Sequence, residues 1–191
     1  MVYYRKRDGD DKMNPDEAFV KDILSRDSDY WGDSCSEASL DVVSDGGANS
    51  NVALANGSTV VHLSNNHSLV FFKVEKYGFF ITELPNDNAP YKKMDEIDLV
   101  PYDMGGECFM TPSCCYFTEE EAAKILMSFI ENEGIVDLDE WKNIHELIEE
   151  YGFEYDESDD DPHDGEFFGY GKYFDTDGNF IGKPKTEECG E

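Results

Sequence analysis

Cysteine and histidine are the residue types that could support nucleophilic catalysis or metal binding here, and their spacing favours neither. The residues concerned are Cys35, Cys108, Cys114, Cys115, Cys189, His62, His67, His145 and His163. No two histidines have the spacing of a helical zinc site, and no Cys-x-x-Cys pair occurs. An odd number of cysteines, two of them adjacent, favours reduced thiols over a disulfide framework. A catalytic Cys–His pair stays an alternative, because such partners meet only in the folded chain.

Carboxylates are abundant, but none of them forms a recognisable catalytic or metal-binding pattern. Residues 175–180 begin like a calcium-binding loop, yet Phe180 and Thr186 stand where that loop needs Gly and Glu. Among 44 acidic residues, a glycosidase-like pair would arise by chance. Phosphate-binding, dinucleotide-binding and nucleophile-elbow motifs do not occur in the sequence. The sequence therefore predicts a protein that is not an enzyme, with no catalytic residue, metal or cofactor.

The charge balance indicates a basic protein partner. The 191 residues carry 44 acidic and 15 basic side chains, a formal net charge of −29, while 14% of the residues are aromatic. Disordered acidic tails are poor in aromatic residues, so this chain is expected to fold around a core. A strongly negative surface repels nucleic acid and anionic membranes and attracts basic proteins. A surface that serves solubility alone, as in halophiles, is the alternative.

The sequence predicts a cytoplasmic protein. Residues 1–12 are charged and lack the apolar stretch of a secretory signal. The longest apolar runs, such as residues 69–72, are far too short to span a bilayer.

The first half of the chain predicts one helix followed by a sheet. Residues 1–13 are expected to be disordered, and a helix is expected to begin with Asn14 as its N-cap and Pro15 at its first position. Residues 25–36 are typical of a loop. Five runs then have strand character: residues 39–43, 51–54, 59–63, 68–73 and 78–83. Turn-forming pairs such as Asn65-Asn66 separate these runs and favour an antiparallel meander.

Helical periodicity returns in the second half. Thr118 and Glu121 form a capping-box pattern that opens a helix, and Gly134 is expected to end it. Asp139 is expected to open another helix, with Trp141 on its buried side and its end at Gly152. The predicted fold is therefore α+β: an antiparallel β-sheet meander with helices packed on one side.

The C-terminal part of the chain is unusually acidic. Residues 137–166 contain fourteen acidic residues against the single basic residue Lys142. After this stretch, residues 170–182 alternate around Asp177-Gly178 and predict a hairpin. The expected organisation is a disordered segment at residues 1–13, a domain at residues 14–152, and an acidic extension at residues 153–191.

One segment carries a resemblance to a known family. Gly105-Gly106-Glu107 leads into a strand, the helix capped by Thr118 follows, and Asp139-Glu140-Trp141 comes after the stop at Gly134. Over residues 18–145 this pattern resembles the deaminase-associated immunity family of bacterial polymorphic toxin systems. The resemblance implies a cytoplasmic protein that binds a co-produced toxin domain, a nucleic-acid deaminase, and blocks its active site.

The charge supports the same interpretation, because an acidic inhibitor can occupy the basic substrate channel of an enzyme that acts on nucleic acid. The partner expected is one basic toxin domain bound one-to-one by a monomer, with no nucleic acid or membrane bound. The residues expected at the interface are Gly106, Glu107, Asp156, Asp159, Asp160, Asp161, Asp164 and Glu166. A SUKH-type immunity protein against a toxin nuclease and a small Cys/His enzyme are the alternatives.

Overall fold

A computed structural model describes residues 1–6, 11–32, 37–43, 50–53, 60–104, 107–135, 138–156 and 172–174. In chain order the strands are β1 (Val2–Lys6), β2 (Lys12–Met13), β3 (Ala38–Val43), β4 (Ser50–Ala53), β5 (Val60–Val74), β6 (Gly78–Leu84), β7 (Asn88–Pro90), β8 (Leu99–Met104), β9 (Glu107–Pro112), β10 (Tyr116–Phe117), β11 (Trp141–Asn143), β12 (Glu154–Asp156) and β13 (Lys172–Phe174). The helices are α1 (Glu17–Leu24), α2 (Ser28–Trp31), α3 (Glu119–Asn132) and α4 (Ile144–Glu150). Short 3-10 turns occupy Ser113–Cys115 and Leu138–Glu140. Within these ranges, no helix has the length and apolar character needed to cross a membrane.

The described strands form one large antiparallel sheet and two small strand pairs. The large sheet has nine strands in the order β11-β7-β6-β5-β3-β1-β2, with β4 also paired to β5 and β10 to β6. The strand pairs are β8–β9 and β12–β13. The predicted α+β class with an antiparallel sheet is confirmed.

Side-chain alternation along β5 and β6 gives the sheet two buried faces. Phe71 lies opposite Ile81, and Phe72 lies opposite Phe80, so the two pairs point to opposite faces. The face with Phe71 packs against α1, α2 and α3. The face with Phe72 packs against the β8–β9 hairpin and against α4 through residues such as Leu147. Burial on both faces explains why β5 and β6 are apolar at successive positions.

The prediction that residues 1–13 are disordered is wrong. Val2–Lys6 is an inner strand of the sheet, between β3 and β2, and the side chains of Val2 and Tyr4 are almost fully buried. Asn14 is also not the helix cap: its backbone has φ 47, and its Oδ1 accepts a hydrogen bond from Val2 N at 3.1 Å. Asp16 caps α1 instead, accepting from Phe19 N. The pairing with β3 outweighs the polar character of the N-terminal segment.

Two segments expected to be loop or turn contain regular secondary structure. Residues 25–36 contain α2, whose Trp31 is 2% exposed. The Asn65-Asn66 pair does not form a turn, because β5 runs without interruption through it. β3 lies along one side of β5, while β4 pairs with residues 60–63 and β6 with residues 68–74 on the other side. The β3–β5 register shifts between Asp41 and Val43, opposite the stretch that contains Asn65 and Asn66, so the local preference for a turn is met by an irregularity in the ladder.

The helix expected after Thr118 forms between the expected residues. The helix expected to open at Asp139 begins later in the chain. Thr118 and Glu121 make the reciprocal capping-box hydrogen bonds, and α3 ends at Glu133 in the left-handed conformation, just before Gly134. Residues 138–140 form a 3-10 turn and Trp141 lies in β11. α4 begins only after Asn143, whose side chain caps it by accepting from His145 N and Glu146 N.

Replacing Gly78 with Ala is expected to lower the free energy of unfolding by about 2 kcal/mol or more. Gly78 has φ +101, and an added Cβ would lie 2.3 Å from the backbone oxygen of Phe117. Urea unfolding measures the loss. Gly134 is the control, because its φ of +156 is also unfavourable for Ala while an added Cβ meets nothing within 4 Å. An equal loss at both positions would mean that the close approach of β10 to Gly78 is unimportant.

Candidate protein-binding surface

The structure describes little of the interface expected from the sequence. Glu107 begins β9 and Asp156 ends β12, and only their backbones are described. The other expected interface residues lie outside the described residues: Gly106, Asp159, Asp160, Asp161, Asp164 and Glu166. The hairpin expected at Asp177-Gly178 lies outside them too. A role for the extension in docking stays a prediction.

Cys114 and Cys115 belong to the hydrophobic core. Both side chains are 0% exposed and pack in the cluster beneath α4 and the β8–β9 hairpin. The contact with Cys115 lowers the pKa of the Cys114 thiol, while burial raises the pKa of the Cys115 thiol. A thiol sealed in a packed core has no access to substrate, so these two residues are unsuited to the nucleophilic role considered above. Among the described residues, no group of His, Cys, Asp and Glu could hold a metal ion.

A groove of about 840 Å³ lies beside α3 and is called here the Trp141 groove. Its walls are one side of α3, residues 90–93 at the end of β7 and just beyond it, residues 134–135, and residues 139–141. The volume lies in the range of ligand-binding clefts, about 300–1,000 Å³. The groove is therefore large enough to receive several side chains of a partner.

The floor of the Trp141 groove is apolar. It is formed by Phe117, Ile125, Phe129, Ile135 and Trp141. Phe117 and Phe129 are buried in the core between the sheet and α3, whereas Ile125, Ile135 and Trp141 are only partly buried. This apolar floor is still partly open to water. Covering it would be favourable, because apolar surface would be removed from water.

The rim of the Trp141 groove is charged, and two of its three lysines are paired. Lys92 Nζ lies 2.7 Å from Glu121 Oε2, and Lys124 Nζ lies 2.8 Å from Glu120 Oε1. The hydrogen bond from Lys92 holds the pKa of Glu121 below its usual value, as expected for an ion pair. The remaining charged side chains on the rim are Lys93, Asp139 and Glu140, all exposed.

A turn built on a buried carboxylate supports one wall of the groove. Glu83, at the end of β6, is 2% exposed, and it accepts hydrogen bonds from Asn86 Nδ2 at 3.0 Å and Asn88 Nδ2 at 3.1 Å. These two bonds satisfy the buried charge, which would otherwise be costly. They also fix the turn from which β7 emerges.

The same turn positions β11 and therefore Trp141. Asn143 Nδ2 donates to Asn86 O at 2.9 Å, and Ile144 N donates to Asp87 O at 3.0 Å. Next to these anchors, β11 pairs with β7 so that Trp141 lies opposite Pro90. The edge strand thus presents Trp141 to the groove. The sequence singled out Trp141, but the groove itself depends on this pairing across fifty residues.

Asp87 is expected to destabilise the fold at neutral pH. Burial, and secondarily the charge of Glu83, raises the pKa of Asp87 to about 6, and its buried Oδ1 has no hydrogen-bond partner among the described residues. The folded state therefore binds a proton more tightly than the unfolded state. Stability is fully present below about pH 4 and falls as the pH rises through about 6.

Asp87→Asn is accordingly expected to raise the free energy of unfolding by about 1 kcal/mol at pH 7.5, after allowance for solvent screening. Asn also suits the left-handed backbone at this position, φ 53. The gain should shrink towards zero near pH 4, in urea unfolding at both pH values. Asp95→Asn, at an exposed position, should show no such pH-dependent gain. A gain for Asp87→Asn that is independent of pH would contradict this interpretation.

Most of the described positive charge is neutralised within the protein itself. The ion pairs between side chains are Arg5–Asp41, Lys12–Asp16, Lys21–Glu17, Arg26–Asp22, Lys73–Glu119, Lys92–Glu121, Lys124–Glu120 and Lys142–Glu150. Because acidic residues outnumber basic ones by 44 to 15, this pairing leaves a large excess of carboxylates. The chain therefore carries a large net negative charge.

The ends of two helices carry carboxylates where cations are preferred. The last turn of α4 contains Glu149 and Glu150 and no basic residue, and α3 has no basic residue in its last turn. Negative charge at a helix C-terminus is unfavourable because the macrodipole is negative there. Lys142 pairs with Glu150 and partly offsets this.

Comparison with known proteins does not place the chain in a family. No protein-family model matches it, and searches of curated proteins and of solved structures find no match either. The described residues form an α+β domain that carries an open groove with an apolar floor, in a chain of strongly negative net charge.

Proposed function

We propose that this chain is a cytoplasmic immunity protein that binds a basic toxin domain, a nucleic-acid deaminase, and covers its active-site channel. The observation that carries the proposal is a negative surface on a packed core: net charge −29, with most described basic side chains already in ion pairs. Such a surface is complementary to an enzyme whose channel must attract phosphates. The resemblance over residues 18–145 supports the choice of a deaminase.

The proposed mechanism is occlusion without chemistry. A negative field steers the inhibitor to the basic channel, and close contacts at the centre then slow dissociation. Carboxylates of the inhibitor take the place of nucleic-acid phosphates. The substrate is excluded because both partners compete for the same positive surface.

The proposal is tested by expressing the products of the reading frames adjacent to that of this chain and mixing any basic domain among them with the purified protein. Mixing the purified proteins should give a one-to-one complex with nanomolar affinity, about −12 kcal/mol, and loss of deaminase activity. The matched control is the same toxin domain with its channel lysines and arginines replaced by Gln. Capture of a nuclease instead would favour the SUKH-type alternative. Absence of binding to any adjacent basic domain would overturn the proposal.

A further inference from the structure

We propose that the groove between α1 and α3, called here the α1–α3 groove, is the docking site for a basic amphipathic helix of the partner. Apolar side chains of that helix cover Met127 on the groove floor, and basic side chains near its two ends approach the carboxylates of Glu119 and Glu131. This inference rests on the proposed function for the identity of the partner as a toxin domain. It adds a surface separate from the Trp141 groove and names the kind of element that docks there.

The α1–α3 groove has the length and shape to receive a helix. It has a volume of about 800 Å³ and follows α3 from Glu119 to Glu131, with α1 along its other side. That stretch of α3 spans about 18 Å, and a docked helix of about twelve residues covers the same length. A trough between two neighbouring helices is the kind of surface into which the side chains of a third helix pack.

The floor of the α1–α3 groove consists of small, flexible or buried apolar side chains. Leu24 and Ala123 are buried at its base, and Met127 is partly buried. The walls include the small side chains of Ser25 and Ser128, which allow another helix to approach at the short end of the usual 8–10 Å between helix axes. A methionine side chain adapts its shape to an incoming apolar residue. The floor therefore suits close packing of a helix.

The charges that line the α1–α3 groove are negative in sum. The groove has four carboxylates and two lysines: Glu17, Glu119, Glu120, Glu131, Lys21 and Lys124. Each lysine is paired with a carboxylate of the same groove, Lys21 with Glu17 at 2.6 Å and Lys124 with Glu120 at 2.8 Å. The carboxylates of Glu119 and Glu131 are left in excess. This local excess favours a cationic occupant over an anionic one.

The two carboxylates in excess lie at opposite ends of the groove. Glu119 is the first residue of α3, and Glu131 lies in the last turn of that helix. Glu119 pairs with Lys73, which lies outside the groove, at 3.2 Å, whereas no ion pair joins Glu131 to another described residue. A helix with basic residues near both ends matches this arrangement. A second copy of this chain does not, because two chains of net charge −29 repel one another.

The probe is a synthetic, end-blocked amphipathic peptide of about fourteen residues, with leucines along one face and arginines near both ends. Fluorescence anisotropy of labelled peptide at moderate salt gives the Kd. The site is read from NMR signals of isotopically labelled methionine methyl groups, with the Met127 signal assigned by Met127→Leu. Saturating peptide should shift the Met127 signal but not that of Met94, which is 45% exposed and outside the groove. Binding that leaves Met127 unshifted would overturn the proposal.

Reversal of one charge separates the groove from the general negative charge of the chain. Glu131→Lys should raise the Kd for the peptide about tenfold, because an attraction becomes a repulsion. The control Glu96→Lys makes the same change in net charge at an exposed position outside the groove, and it should raise the Kd less than about threefold. Equal effects of the two variants would overturn the proposal. The melting temperature of Glu131→Lys should not fall, because a lysine suits the last turn of α3.

Two further changes test the charge and the shape of the occupant. Lys21→Gln should tighten binding of the peptide about twofold, because it releases Glu17 from its ion pair. Weaker binding would contradict a cationic occupant. A peptide with proline at its centre should bind about tenfold more weakly or worse, because proline breaks the helix. Equal affinity of the proline peptide would contradict a helical occupant.

Failure of this inference and failure of the proposed function give different results. If an adjacent basic toxin domain binds but the Met127 signal does not shift, the function stands and the groove is not the docking site. If the peptide shifts Met127 while no adjacent toxin domain binds, the groove stands and the immunity function does not. A Met127 shift that grows with protein concentration in the absence of peptide would identify a second copy of this chain as the occupant and overturn the inference.

Discussion

Raising the ionic strength from about 10 mM to about 1 M is expected to slow association with the basic toxin domain by about tenfold or more. The Debye length shrinks from about 30 Å to about 3 Å over this range, so the net charge of −29 no longer steers the partner at a distance. The dissociation rate should change much less, because the central contacts are shielded from the salt solution. Stopped-flow mixing at a series of salt concentrations gives both rates.

The dissociation rate in the same series is the internal control, since a general effect of salt on either protein would change both rates. An association rate that does not depend on salt would mean that the negative charge serves solubility. The proposed occlusion of a basic channel would then lose its main support. The halophile-type alternative would take its place.

Trp31→Ala is expected to lower the free energy of unfolding by about 3–5 kcal/mol. The Trp31 side chain is 2% exposed, and its indole ring lies 5.4 Å from the ring of Phe79 and 5.9 Å from that of Phe71. Its Nε1 also donates to Ile23 O at 3.1 Å and thereby joins α1 to α2. The substitution removes this hydrogen bond and leaves a cavity between the helices and the sheet. Urea unfolding measures the loss.

Trp141→Ala is the matched control for the same residue type. Trp141 is only partly buried, so its replacement should cost about 1–2 kcal/mol. Its larger effect should be on affinity for the partner, about 2 kcal/mol, as for aromatic anchors of interfaces. If Trp141→Ala destabilises the fold more than Trp31→Ala, Trp141 is a core residue and an unsuitable anchor.

Features with local causes could be predicted from the sequence. The capping box of Thr118 and Glu121 and the stop at Gly134 act within a few residues, and α3 forms between them. The antiparallel α+β class followed from strand-like runs and short connections. The excess of acidic residues is a property of composition alone, so the expectation of a basic partner needed no structure.

Other features depend on partners distant in sequence. The N-terminal segment becomes β1 because it can pair with β3, and Asn14 bonds to Val2 instead of capping α1. The Asn65-Asn66 pair stays within β5 because the strand is paired before it, with β4, and after it, with β6. Local preferences of about 1 kcal/mol or less are easily outweighed by such pairing and burial.

Trp141, at the candidate site, has some properties that the sequence predicts and others that depend on residues distant in sequence. Its spacing to Ile144 and Ile148 fits a helix, and the sequence could identify it as a large apolar residue near two carboxylates. Pairing with Pro90 on β7 makes it part of an edge strand instead. The sequence by itself determined the negative charge and the residue types of the site. The tertiary structure alone decided that Trp141 lies across a groove from α3, because that position depends on hydrogen bonds to a turn more than fifty residues earlier.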